Sequence, residues 1–162
     1  MKRDYRIGIG EVQVASRGET LTCHGLGSCV GVFLHDRQLK IGGAAHIFLP
    51  KSGHETSLGQ TYHAEGALSR LITKMEACGS NQNQLRAFLF GGAQLFTSSL
   101  TTGMRNVEAV REYLVQHHIY IAHQQVGGTD PISVRFDSLR GEFEILHRMT
   151  TNKPLKQWAK AS

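Results

Sequence analysis

The chain has 162 residues, 40% of them hydrophobic and 19% charged, which fits one folded domain with a core of its own and excludes a disordered chain. Its net charge of +5 sits at one end. Arg148, Lys153, Lys156 and Lys160 follow His147 with no acid, leaving fourteen basic against thirteen acidic residues in 1–147, so the fold carries no basic face of the kind a nucleic-acid binder needs. No run approaches the ~18 apolar residues of a membrane span, and Met1 to Tyr5 leads into an alternating pattern with no apolar signal core. We therefore expect a cytoplasmic single domain over 1–147 and a basic, solvated tail over 148–162.

Tyr5 to Ala15 alternates, Ile7 with Ile9 and Val12 with Val14, and reads as one early strand with a bulge at Gly8 or Gly10. Glu19 to His24 is a second strand. Val30, Val32 and Leu34 alternate up to His35-Asp36-Arg37-Gln38, a hairpin turn whose partner strand is Leu39 to Leu49, closed by Pro50. Lys51 to Gln60 is polar and reads as a loop. Thr61 to Cys78 is a helix, with Leu68, Leu71, Ile72 and Met75 in one stripe and Gly79 to stop it. Leu85 to Phe90 is a short strand ended by Gly91-Gly92. Thr102 caps a second helix with Val107, Val110 and Leu114 inward. Ile119 to Gln125, Ile132 to Asp137 and Gly141 to His147 complete about eight strands. Helices that do not alternate with strands argue against a doubly wound parallel sheet and for an α+β fold of mixed or antiparallel sheets with two helices outside.

The three cysteines, Cys23, Cys29 and Cys78, form no C-x-x-C pair, a poor disulfide framework and a poor zinc site. Gly25-Leu26-Gly27-Ser28-Cys29 is different. Glycines there let the backbone turn and bring successive N–H groups into one space, as in an oxyanion hole. Read alone, Cys29 is also consistent with a small buried side chain at a strand start. His46 adds weight to the chemical reading, because it lies mid-strand among small and apolar residues. A hairpin centred between Arg37 and Gln38 puts position 46 directly across from position 29, within reach of a thiol–imidazole hydrogen bond. A one-residue slip would send the two side chains to opposite faces. A zinc site from Cys29, His46, His54 and His63 matches no ligand spacing, so neither metal nor cofactor is expected.

With these segments in hand, the chain resembles the chemoreceptor glutamine deamidase family, CheD. The resemblance is carried by Gly25-Leu26-Gly27-Ser28-Cys29-Val30, Ala45-His46-x-x-Leu49-Pro50, Phe90-Gly91-Gly92-Ala93 and Gly103-x-Arg105-Asn106-Val107, with Gly127-Gly128 as a weaker fifth motif. It implies an α/β/β sandwich related to cysteine-dependent deamidating toxins. It implies conversion of chemoreceptor glutamines to glutamates with release of ammonia, and in some members hydrolysis of glutamyl methyl esters. Carried over, Cys29 is the nucleophile and His46 the base, with Gly27, Ser28 and Thr22 as oxyanion or supporting residues. The family's third catalytic position is a threonine six residues before the cysteine; here it is Cys23, which would orient His46 through its side chain or its carbonyl, or pair reversibly with Cys29 as a disulfide. Gln125 and Pro131-Ile132 also depart from the family pattern. The implied partners are the helical cytoplasmic region of chemoreceptors and, in some organisms, a CheC-type phosphatase that the protein stimulates. The resemblance favours a monomer. The alternative to an enzyme is a binding module that retains only the phosphatase contact.

Overall fold

The computed structural model describes residues 2–50, 59–95, 102–146 and 158–160. Of the expected loop over Lys51 to Gln60, residues 51–58 with His54 lie outside them, as do His147 and the tail residues Arg148, Lys153 and Lys156. In chain order the elements are β1 (Asp4–Arg6), β2 (Val12–Ala15), β3 (Thr20–Leu26), β4 (Val30–Asp36), β5 (Ile41–Ile47), α1 (Ala64–Ala77), β6 (Leu85–Gly91), α2 (Thr102–Gln116), β7 (Tyr120–Val126), β8 (Ile132–Asp137), β9 (Glu142–Leu146) and β10 (Trp158–Lys160).

The strands form two sheets, ordered β1-β3-β8-β9-β10 and β2-β5-β4-β6-β7. Only β1 beside β3 and β6 beside β7 are parallel among the described pairs. The period-two alternation decides the layering. In β4, Val30, Val32 and Leu34 face the helices and join Leu68, Leu71 and Met75 of α1 and Val110 and Leu114 of α2 in one core. Phe33, on the opposite face of β4, packs with Leu21, Phe88, Phe90, Val134, Phe136 and Phe143 between the sheets. Phe33 stacks on Phe136 at 5.4 Å between ring centroids, and truncating such a buried ring to alanine costs about 3–5 kcal/mol. The result is an α/β/β sandwich, as the resemblance implies. Central β4 is buried along its whole length, because each of its faces covers a core.

Helix α1 ends as its sequence dictates. Gly79 takes φ 99° just past Cys78, and the Ser80 amide donates back to the Met75 carbonyl at 3.1 Å, the Schellman closure. Its start is later than the spacing predicts, because Gln60–Tyr62 form a 3₁₀ turn before it. Thr102 is the first residue of α2 and not its cap.

Three expectations are revised. The single strand over Tyr5 to Ala15 is two strands in different sheets. After β1 the Ile7 amide donates to the Thr22 carbonyl at 2.8 Å. The chain then turns at Gly10, which holds φ 78° and lies where a Cβ would be 2.7 Å from the Tyr62 ring, so only glycine fits. The chain thereby crosses from one sheet to the other. The tail is not wholly outside the fold: Trp158–Lys160 pair antiparallel with β9 and form an edge of the first sheet. The β4–β5 hairpin turns one residue later than predicted. Its ladder runs from Asp36↔Ile41 to Gly31↔His46 and Val30↔Ile47, because the Asp36 carboxylate accepts the Gln38 and Leu39 amides, each at 3.0 Å, and so builds the turn beyond itself. His35, read as a turn residue, stays in the strand with Nε2 bonded to the Ser138 carbonyl at 2.9 Å.

Candidate active site

Cys29 lies one residue outside the β4–β5 ladder. His46 lies one residue inside it, opposite Gly31. Moving the turn by one residue changes the pairing by two, so the two residues keep the same face and stand at diagonal and not directly opposed positions. Diagonal neighbours are still within reach of a long side chain. That shared face is the inter-sheet layer: Cys29 belongs to its core cluster, and the alternation of His46 with Ala45 and Ile47, which face the helices, puts His46 on the same side.

The three carbonyls around the cysteine are all tied back into the protein. Gly27 O accepts from the Ala93 amide at 2.7 Å and Cys29 O from the Gly92 amide at 2.8 Å. Between them, Ser28 O accepts from the Asn106 side chain at 2.8 Å. In a trans peptide the N–H points away from the preceding carbonyl, so the Ser28 and Cys29 amides are turned away from those partners. The Gly-Gly turn after β6 has to be glycine for this approach: a Cβ on Gly91, held at φ 99°, would collide with the Cys29 carbonyl oxygen.

His46 is 4% exposed. Its Nδ1 lies 3.0 Å from the Ile7 carbonyl. A carbonyl can only accept, so Nδ1 carries the proton and the neutral ring presents a lone pair at Nε2. That Nε2 is buried and has no hydrogen-bond partner among the described residues. Burial holds the His46 pKa below its ordinary value, opposed by the Ile7 hydrogen bond and by the Glu11 carboxylate. Glu11 is itself held by the Gly8 amide at 2.8 Å. Burial raises the Cys29 thiol, and its own backbone N–H pulls it back. Both directions favour the uncharged forms, a thiol and a neutral imidazole, and the unprotonated ring nitrogen lies on the thiol's side of the sheet. A groove lined by Arg6, Ile9, Glu11, His24 and Gly25 reaches His46.

The other sequence-derived residues divide clearly. Cys23 is fully buried in the same inter-sheet core. Burial raises its thiol far above the ordinary value, with the Cys29 charge adding to it. The His46 Nδ1 hydrogen bond goes to the Ile7 carbonyl and not to Cys23. All three cysteines are free thiols. Gly27 packs beneath Leu95, whose Cδ1 would be 2.7 Å from a Cβ placed there. Thr22 points to the other face of β3 from Cys23, where its hydroxyl donates to Asp4 Oδ1 at 2.7 Å, so it does not join the pair. His63 caps α1. Among the described residues, no three His, Cys, Asp or Glu side chains gather as metal ligands, and no helix is long and apolar enough to cross a membrane.

Sequence reasoning missed two residues of this site. Ile7 acts through its backbone carbonyl, and a side-chain sequence carries no mark of that. Asn106 appears in a motif but has no charge or nucleophile to flag it. Fully buried on α2, it donates to Ser28 O at 2.8 Å and to Phe48 O at 3.0 Å, while its Oδ1 has no partner among the described residues. An orphaned buried acceptor costs roughly 1–3 kcal/mol, which an apolar residue in that place would avoid.

Comparison with known proteins bears on this arrangement. Residues 36–147 match the CheD family, described as CheD chemotactic sensory transduction. A probable chemoreceptor glutamine deamidase CheD of Archaeoglobus fulgidus is 39% identical over 140 residues, covering 84% of this chain and 88% of its own. The chemoreceptor glutamine deamidase CheD of Halalkalibacterium halodurans is 37% identical over 139 residues, covering 82% and 86%. That of Thermotoga maritima is 36% identical over 140 residues, covering 86% and 88%. Among solved structures, the Bacillus licheniformis hypothetical protein YfiH superposes with a TM-score of 0.47 at 15% identity, over 79% of this chain and 59% of its own.

Proposed function

The chain belongs to the CheD family, and from that premise we propose that it is a chemoreceptor glutamine deamidase working through a Cys29 thioester with His46 as its acid–base group. The observation that carries the mechanism is the state of His46. Its Nδ1 proton is committed to the Ile7 carbonyl, and its unbonded Nε2 shares a face with Cys29.

In this reading the Cys29 thiol gives its proton to His46 Nε2 as sulfur attacks the glutamine carboxamide carbon. The oxyanion of the tetrahedral intermediate is met by the Ser28 and Cys29 amides, which are turned away from the carbonyls' tethers. His46 returns the proton to the departing nitrogen, and ammonia leaves. A water molecule, deprotonated by His46, then attacks the thioester carbon. The C–S bond breaks, the thiol is restored, and the substrate side chain leaves as glutamate. Overall one amide and one water give one carboxylic acid and one ammonia. A glutamyl methyl ester would enter the same acyl-enzyme with methanol as the leaving group. Because burial favours the uncharged form of both groups, the proton moves as the nucleophile attacks.

The test is incubation of the purified protein with a chemoreceptor cytoplasmic fragment. Peptide mass spectrometry should show specific glutamines converted to glutamates, with one ammonia released per site and neither product formed by Cys29→Ala. A wild-type protein that binds the fragment but leaves every glutamine intact would sink the reading.

A further inference from the structure

We propose that Asn106 is the positioning residue of the Cys29–His46 pair: its one amide group sets the spacing between the nucleophile's loop and the end of the histidine's strand. The inference rests on the reading of Cys29 as nucleophile and His46 as base.

The argument starts where the ladder stops. The last rung between β4 and β5 is Val30↔Ile47. One step further the same register would set Cys29 against Phe48, but no rung forms there, so the backbone does not fix that spacing by itself. The two hydrogens on Asn106 Nδ2 take up this duty. One goes to Ser28 O, the residue before the nucleophile, at 2.8 Å. The other goes to Phe48 O, two residues past His46, at 3.0 Å. These carbonyls are 78 and 58 residues away in sequence. A side chain thus supplies the rung the sheet lacks, at the point where nucleophile and base must be held together.

Helix α2 is built to bring the amide there. One turn before Asn106, Gly103 lies so close to the turn after β6 that a Cβ would be 2.5 Å from Ala93 O and 2.6 Å from Gly92 O. Ala93 and Gly92 in turn hold Gly27 O and Cys29 O. The helix, the Gly-Gly turn and the cysteine loop are therefore one packed unit, and Asn106 is the member that extends to the histidine strand. A hydrophobic residue would fill the space without an unpaired Oδ1. The two donors are the reason for an amide. Aspartate, with the same shape, would face both carbonyls with acceptors. Serine could serve one of them.

The test uses full-length protein with exposed Cys78 changed to serine, so that iodoacetamide reports on Cys29. In Asn106→Leu the loop loosens toward solvent. Cys29 alkylation should speed up at a given pH, and its pH midpoint should fall toward that of an ordinary thiol. Turnover should move the opposite way, with kcat down ~10²-fold and KM within about threefold, as expected when reacting groups are held out of register. Asn106→Ser should fall between, and Asn106→Asp should behave like Asn106→Leu. Val110→Ala, in the same helix and fully buried, is the control; it should lower Tm and leave both kcat and the alkylation profile in place. The proposal is overturned if Asn106→Leu lowers Tm as Val110→Ala does while the alkylation profile stays put, or if kcat survives. Should Asn106→Leu not fold, Asn106→Ser carries the same two readouts. Alkylation needs no substrate, so it tests the clamp even if receptor fragments prove inert, and that inertness would count against the proposed activity alone.

Discussion

His35 and His46 stand near opposite ends of the same hairpin, and their environments are nearly alike. Both rings are buried, both bond one nitrogen to a backbone carbonyl, Ser138 O or Ile7 O, and burial lowers the pKa of both. What differs is the neighbour. His35 meets the edge of Phe136 at 5.7 Å between ring centroids and lies under Gly141, where a Cβ would be 2.6 Å from its Nδ1. His46 turns an unbonded Nε2 into the layer that holds Cys29. Burial and a depressed pKa therefore do not tell the two histidines apart. The unbonded Nε2 on the face shared with Cys29 does, and the proposed acid–base role rests on it.

The comparison breaks most decisively at the sulfur. Cys29→Ser should keep the fold and lose turnover by on the order of 10⁴-fold or more, since hydroxyl is a far weaker nucleophile at neutral pH. Unchanged Tm with ammonia release gone is the expected pair of results. Residual turnover near wild type would return Cys29 to the role of a small core residue.

Next come the two histidines. His46→Gln should lower kcat by ~10²–10⁴-fold, the range for a positioned acid–base group, with little change in Tm. His35→Gln should do the reverse: turnover is kept, while stability falls by about 1–3 kcal/mol as the buried Ser138 carbonyl loses its partner. Thermal melts and kcat measured on the same preparations separate the two roles. If both variants lose turnover equally, the distinction between them fails.

The hairpin also shows how far the sequence could be read. Alternation at Val30, Val32 and Leu34 and the small residues before His46 disclosed both strands and their faces, because one face of each is committed to the helices. The register was off because it depends on which backbone amides the Asp36 carboxylate captures, a choice made in three dimensions. Ile7 and Ile9 fall on odd positions and Val12 and Val14 on even ones, a switch that a bulge at Gly8 or Gly10 explains as well as a change of sheet, so the pattern alone does not announce the crossing. That change needs Gly10 at a positive φ beneath the Tyr62 ring, a contact set by residue 62. The same crossing brings the Ile7 carbonyl to His46. β10 was unreadable for another reason: its edge pairing with β9 uses main-chain groups that any residue but proline supplies.

Protonation extends the histidine comparison. His35, His46 and His123 are all held below the ordinary 6.5 by burial. Above 6.5 the folded and unfolded chains bind the same protons at these sites. As pH drops below 6.5 the unfolded chain takes up protons that the folded chain refuses, so stability falls until the lowered values are passed. Tm should therefore decline between neutrality and mild acid, and His35→Gln should reduce the slope. Catalysis should follow His46 alone. It must be neutral to accept a proton, so the acid limb of kcat/KM should lie below 6.5. Glu11→Gln, which removes a charge favouring imidazolium, should push that limb lower still. A limb at or above the ordinary value would contradict the buried, carbonyl-bonded state of the ring.

The smallest effect concerns Cys23, where the family resemblance sets a threonine. If the side chain at 23 oriented the imidazole, restoring threonine would raise activity markedly, and alanine would abolish the gain. The Nδ1 proton instead goes to the Ile7 carbonyl, and Cys23 is a fully buried sulfur packed against Leu26 and Gly31. Cys23→Thr should thus change kcat by less than about threefold, a value set by repacking and not by acid–base chemistry. Its hydroxyl would enter an apolar layer, so the cost should appear in Tm. Cys23→Ala should likewise leave the kcat/KM acid limb in place. A shift of that limb in either variant would show that residue 23 touches the ring's protonation after all, and would move the orienting role from the β1–β2 crossing back to β3.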